Sequence, residues 1–163
     1  MGTKMLYTIL YTSHAIKAFN NMELTEIVNE SRIWNHAHDI TGCLAYVEGV
    51  LNGDVLCQFI QVLEGEESEV KKIFTKIQSD ARHLDLSVIK EGNIRSRKFS
   101  DWRMGFEQIQ LNDNPILQTF FSMNTTVLAE SGDTEDHILM QFMKSFCDQK
   151  RHNGIVEPDI SIL

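Results

Sequence analysis

Phe59-Ile60-Gln61-Val62-Leu63-Glu64-Gly65 is an apolar run with one uncharged polar side chain at its centre. Side chains alternate along a strand, which sets Phe59, Gln61 and Leu63 on one face and Ile60 and Val62 on the other. Both faces are largely apolar, the pattern of a central strand covered on both sides. Gln61 then points into the interior, where a carboxamide left without partners costs about 1–3 kcal/mol. Two readings stay open at this point: a core glutamine satisfied by backbone or water, and a hydrogen-bond relay to a bound ligand.

On the N-terminal side of this strand, Asn52-Gly53 marks a hairpin tip over Leu51 to Asp54. The tip joins the Gln61 strand to one that leaves Ile40-Thr41-Gly42 and runs to about Val47. Before it, Leu24, Ile27, Val28 and Ser31 recur at helical spacing after Asn20 or Asn21 as cap. Asn35 falls on the same stripe, so a polar side chain lies on the buried side of a helix that ends near His36 to Asp39. The first strand spans Met5 to Ser13, with Met5, Tyr7, Ile9, Tyr11 and Ser13 on one face.

Beyond Gly65, Val70, Ile73, Phe74 and Ile77 form the stripe of a second helix ending at Asp80-Ala81-Arg82-His83. Arg82 and His83 suit the dipole of its C-terminus, and the acidic run from Glu64 to Glu69 reads as its solvated first turn. The basic turn from Arg95 to Lys98 reads as exposed, with a phosphate contact as the alternative. Leu86 to Glu91 is a fourth strand and Trp102 to Gln110 a fifth, with Trp102, Met104 and Phe106 on one face. The order predicts an α+β, ferredoxin-like β-α-β-β-α-β-β sheet with two flanking helices. Asn114-Pro115 starts a short helix bearing Leu117, Phe120 and Phe121. Asp133 or Thr134 caps a last one with Leu139, Phe142, Met143 and Phe146 as its stripe. This two-helix extension is expected on the opposite sheet face.

Composition narrows the function. With 15 Lys and Arg against 23 Asp and Glu, the net charge of −8 repels nucleic acid and anionic membranes. No apolar run is long enough to span a bilayer and no signal-peptide pattern opens the chain, so a cytoplasmic protein is expected. Cys43, Cys57 and Cys147 are scattered and read as reduced thiols packed as small hydrophobes. No phosphate loop, dinucleotide fingerprint or nucleophile elbow occurs, and His36 and His38 lack the spacing of a metal site. An enzyme and a metal are both unexpected.

Six pieces remain: Tyr11-Thr12-Ser13, Ser31-Arg32-Ile33-Trp34-Asn35, Ile40-Thr41-Gly42, Gln61-Val62-Leu63-Glu64-Gly65, Asp80-Ala81-Arg82-His83 and Phe99-Ser100-Asp101-Trp102-Arg103-Met104. In this order they resemble the BLUF domain, a blue-light sensor using flavin. The resemblance implies a noncovalent flavin, usually FAD, with FMN or riboflavin as alternatives, held between the two helices. It implies cofactor-binding positions at Tyr11, Ser13, Ile27, Ser31, Asn35, Gln61, Ile77, Arg82 and His83. Ile27 and Ile77 would be the apolar plates, and Asn35 the clamp on the ring's polar edge. Tyr11, Gln61, Met104 and Trp102 would be photoactive: Tyr11 gives an electron and a proton to the excited flavin, Gln61 rearranges, and the strand of Trp102 and Met104 passes the change on.

The same resemblance divides the chain into a sensor domain over 1–110, a helical extension over 111–152 and a tail over 153–163. A downstream signalling protein or a second copy of the chain, as a homo-oligomer, would receive the signal. The hairpin between Tyr46 and Gln61 is longer than the family's, and Trp34 stands where many relatives are polar, either as a core aromatic or as a competing electron donor. The alternatives are a light-independent ferredoxin-like binding module and a small enzyme such as an acyl-phosphate hydrolase, for which no phosphate-binding loop is found.

Overall fold

The computed structural model describes residues 5–122 and 137–152. Strands β1 (Leu6–Ala15), β2 (Thr41–Leu51), β3 (Asp54–Glu66), β4 (His83–Ile94) and β5 (Gly105–Gln110) form one sheet in the order β4-β1-β3-β2-β5. β3, the strand of Gln61, is central and antiparallel to both neighbours, while β5 joins β2 in parallel. The fold is α+β and ferredoxin-like, as the order of elements predicts. Helices α1 (Asn21–Ala37) and α2 (Glu67–Gln78) pack on one face, α3 (Pro115–Ser122) and α4 (Ile138–His152) on the other.

Strand parity builds the two cores. Phe59 and Leu63 of β3 join Tyr11, Leu24, Val28, Val70 and Ile73 beneath α1 and α2. Ile60 and Val62 join Leu10, Cys43, Leu117, Leu139 and Met143 beneath α3 and α4. The β2–β3 hairpin closes through Asn52 and Gly53 with φ of 54° and 86°, the left-handed pair that a two-residue hairpin turn demands. Its ladder reaches Leu51 opposite Asp54, so β2 runs past the expected end at Val47. Asn20 caps α1: its side chain accepts from Glu23 N at 2.9 Å while its own N–H donates to Glu23 Oε1 at 3.1 Å.

Several expectations need correction. Glu64 is buried rather than solvated, because its carboxylate accepts from Thr41 Oγ1 at 2.8 Å, Lys98 N at 2.9 Å and Phe99 N at 2.7 Å. Arg97, read as exposed, donates to Thr41 Oγ1 and to the carbonyls of Glu64 and Asp39. α2 stops at Gln78, since Asp80 Oδ1 accepts from Arg82 N and closes a tight turn, and β4 begins earlier than expected, at His83.

β5 begins only at Gly105, and the preceding residues bend: Trp102 N donates to Phe99 O, and Gly42 N to Trp102 O. Alternation therefore does not apply there. Trp102 packs under α3 and α4, whereas Met104 and Phe106 pack on the side of α1 and α2, so Trp102 alone leaves the expected shared face. On α4 the buried stripe is Leu139, Met140, Met143 and Cys147, with Phe142 and Phe146 half-buried beside it. The expected caps Asp133 and Thr134 lie outside the described residues.

Candidate functional site

A cleft of about 750 Å³ opens between α1 and α2, with β1 and β3 as its floor. Ile27 of α1 and Ile77 of α2 line it from the two helices, and Leu44, Phe59, Leu63 and Ile73 complete its apolar surface.

The floor carries the polar groups. Tyr11 and Gln61 are direct partners in the β1–β3 ladder, and their side chains share the cleft face. The Tyr11 hydroxyl donates to Gln61 Oε1. Gln61 Nε2 donates to Met104 Sδ at 3.6 Å. A thioether is a weak acceptor, and an amide nitrogen has two hydrogens, so Gln61 keeps donor capacity while its oxygen is engaged. Burial pushes the Tyr11 phenol far above its ordinary pKa, and the negative charge of Asp80 adds to the effect. Tyr11 is a neutral hydroxyl at any physiological pH.

Asn35 is buried on α1, and its Nδ2 donates to Arg103 O at 2.6 Å. Arg32 Nε holds the next carbonyl, that of Met104, at 3.1 Å. α1 thereby grips the bend that carries Met104. Ser31 lines the cleft but bonds back to Ile27 O at 2.9 Å.

At the rim, Arg82 spends its guanidinium on Asp80, through contacts of 2.6–3.1 Å, and on Glu30 at 3.0 Å. The Arg82 hydrogen bond holds the Asp80 carboxyl below the usual carboxylate range. His83 also faces the cleft, and its Nε2 lies 2.6 Å from Ile77 O in the last turn of α2. A carbonyl only accepts, so Nε2 is the donor, and in the neutral ring Nδ1 accepts from Ser13 Oγ at 2.7 Å. Ser13 is buried behind His83 and does not line the cleft.

Met104 touches the site through Gln61, whereas Trp102 is on the other side of the sheet. Trp34 lines the cleft and is held between elements: its ring stacks on His38 at 4.1 Å, and Lys76 Nζ of α2 sits 4.2 Å from its centroid. Lys76, Glu30 and Asp80 also line the cleft and were not singled out from sequence as site residues. Lys76 precedes Ile77 and Glu30 precedes Ser31, so adjacency was the available signal, but an exposed charge beside a stripe residue is ordinary on any helix. Among the described residues no group of three or more His, Cys, Asp or Glu could hold a metal, and no helix is long and apolar enough to cross a membrane.

Comparison with known proteins bears on this geometry. The profile of the family described as "BLUF: Sensors of blue-light using FAD" matches residues 6–105. The chain is 28% identical over 104 residues to the photoactivated adenylate cyclase subunit beta of Euglena gracilis, covering 63% of this chain and 11% of that protein. It is 29% identical over 143 residues to the blue light- and temperature-regulated antirepressor BluF of Escherichia coli (strain K12), covering 87% of this chain and 33% of the other. The chain thus spans a third or less of the length of these two relatives. Among solved structures, the dark state of the BLUF protein BlrB superposes with a TM-score of 0.63 at 22% identity, over 90% of this chain and 98% of that one, which speaks for the fold.

Proposed function

Because the chain belongs to the BLUF family, the blue-light sensors that use a flavin, we propose that its cleft holds FAD noncovalently and that Tyr11 and Gln61 are its light-driven switch. The residues fit such a group: two apolar side chains from opposite helices suit a flat ring, and the Asn35 carboxamide and the spare Gln61 N–H, both on the cleft, suit its carbonyl and N–H edge. A bound flavin supplies absorption of blue light and an excited state that draws an electron. Every other part of the switch belongs to the chain.

The observation that carries the reading is the relay Tyr11–Gln61–Met104 in the floor of the cleft. Tyr11, kept neutral by burial, loses an electron most readily if its hydroxyl proton leaves at the same time, and Gln61 Oε1 already accepts that hydrogen. An amide can present either its oxygen or its nitrogen to one neighbour. Turning Gln61, or tautomerising it by moving a proton from its nitrogen to its oxygen, exchanges an acceptor for a donor beside Tyr11 and disturbs the weak bond to Met104 Sδ, with no covalent bond made to a flavin. Met104 would then move the bend 102–104, whose other end, Trp102, is packed under α4. Output passes from there to a downstream signalling protein or to a second copy of this chain, and the chain itself acts as sensor rather than enzyme.

FAD is preferred because the family is described by it. Chromatography of the flavin released by denaturation tells FAD from FMN and riboflavin. The test of the function is the visible spectrum of purified protein in darkness and under blue light. A flavin spectrum that shifts to the red and relaxes in the dark is expected. A flavin that only bleaches would remove the switch and leave the binding site, and a protein that takes up no flavin on reconstitution would leave a light-independent binding module.

A further inference from the structure

On the sheet face away from the cleft, Cys43 of β2 and Cys147 of α4 bring their sulfurs to 3.6 Å, although 104 positions separate them in the chain. Both are buried thiols outside any disulfide. The third thiol is elsewhere: Cys57 packs against the core of the cleft face, with its Sγ 3.9 Å from Glu48 Oε1. The sheet therefore separates Cys57 from the pair.

The pair has a built seat. Cys43 is the ladder partner of Gly105, and a Cβ at 105 would stand 2.8 Å from Cys147 Sγ and 3.5 Å from Cys43 Sγ. The missing side chain of Gly105 is the room the two sulfurs occupy. A disulfide brings two sulfurs to ~2.05 Å, so oxidation would close this 3.6 Å contact further.

We propose that Cys43 and Cys147 are a dithiol–disulfide site that clamps α4 to the sheet. The co-reactant is a low-molecular-weight disulfide such as oxidised glutathione. Cys147 attacks it as the thiolate when α4 lifts, forming a mixed disulfide and releasing one small thiol. Cys43 then attacks the Cys147 sulfur and releases the second. One S–S bond forms in the protein and one breaks in the oxidant. The two electrons lost by Cys43 and Cys147 reduce the oxidant, and their two protons end on the released thiols. While α4 is docked the thiols are shielded and inert, so opening of the helix sets the rate.

The test uses the full chain incubated with oxidised glutathione, with thiols counted after denaturation and cross-linked peptides mapped by mass spectrometry. The count is expected to fall from three to one with a Cys43–Cys147 peptide. Dithiothreitol reverses this, Cys57→Ser leaves the link intact, and Cys147→Ala removes it. Slowed hydrogen exchange in α4 after oxidation supports the clamp. Repeating the incubation in mild urea separates slow access from absent pairing. Three persisting thiols under both conditions, stable glutathione adducts without an internal bond, a link through Cys57, or α4 exchange unchanged by the bond would each overturn the proposal.

Discussion

Gln61 holds its amide by two bonds of unequal strength, a hydroxyl on the oxygen and a thioether on the nitrogen. The second is weak enough to be exchanged and the first is buried, which suits a group that must have one orientation in the dark and reach another. Gln61→Leu keeps the volume and deletes both bonds. Tyr11 then loses its acceptor, a buried donor left unpaired at a cost of about 1–3 kcal/mol. The expected outcome is a variant that still carries flavin and shows no light-induced red shift in its absorption difference spectrum. A full shift in that variant would take the switch away from Gln61.

At the scale of elements, β3 does two things within four positions. Gln61 faces the cleft, and Glu64 ties β3 to the segment 97–99 that leads into Trp102 and Met104. Burial pushes the Glu64 carboxyl above its ordinary pKa, while the N–H groups of Lys98 and Phe99, the Thr41 hydroxyl and the charge of Arg97 pull it partly back. The folded chain thus holds this proton more tightly than the unfolded chain. As pH rises the unfolded state releases it first, so the contribution of Glu64 to stability is fully present below the ordinary value of 4.5 and is lost as pH climbs through the folded value. Glu64→Gln removes this slope and sets an amide N–H against a backbone N–H, lowering stability by about 1–3 kcal/mol. In urea unfolding between about pH 4 and 8, the stability of the native chain relative to the variant should fall as pH rises. A difference that stays constant with pH would show that the carboxyl is not raised.

For the whole molecule, the sheet separates a polar cleft from an apolar docking face, and the bend 102–104 joins them by sending Met104 to one side and Trp102 to the other. Trp102→Phe changes what α4 rests on and nothing in the cleft. It is expected to retain flavin and the red shift while altering the light-induced change in hydrogen exchange of α4; loss of the red shift would instead return Trp102 to the switch. A Cys43–Cys147 bond would close a loop of about a hundred residues, worth ~4–5 kcal/mol by the chain-entropy argument. The oxidised chain should unfold at clearly higher urea than the reduced one, and an unchanged midpoint would mean that strain in the docked helix cancels the gain.

Local pattern determined much of this protein. Alternation through Phe59–Leu63 makes β3 a central strand, Asn52-Gly53 closes its hairpin, and helical stripes at Leu24–Ser31 and Val70–Ile77 form α1 and α2. Tyr11, Asn35 and Gln61 stood out as polar groups on apolar faces, and all three line the cleft. Periodicity says which way a side chain points within an element, and it fails where the element ends. Trp102 and Met104 were read on one face because the segment was taken as strand, and the bend before Gly105 parts them. Glu64 reads as solvated because its partners lie 23 to 35 positions away. The contact of Cys43 with Cys147 was equally out of reach, since no spacing encodes which side chain of a helix settles over which glycine of a sheet. Such meetings are decided by the packing of whole faces against one another, where burial rewards the fit of surfaces whatever their distance along the chain.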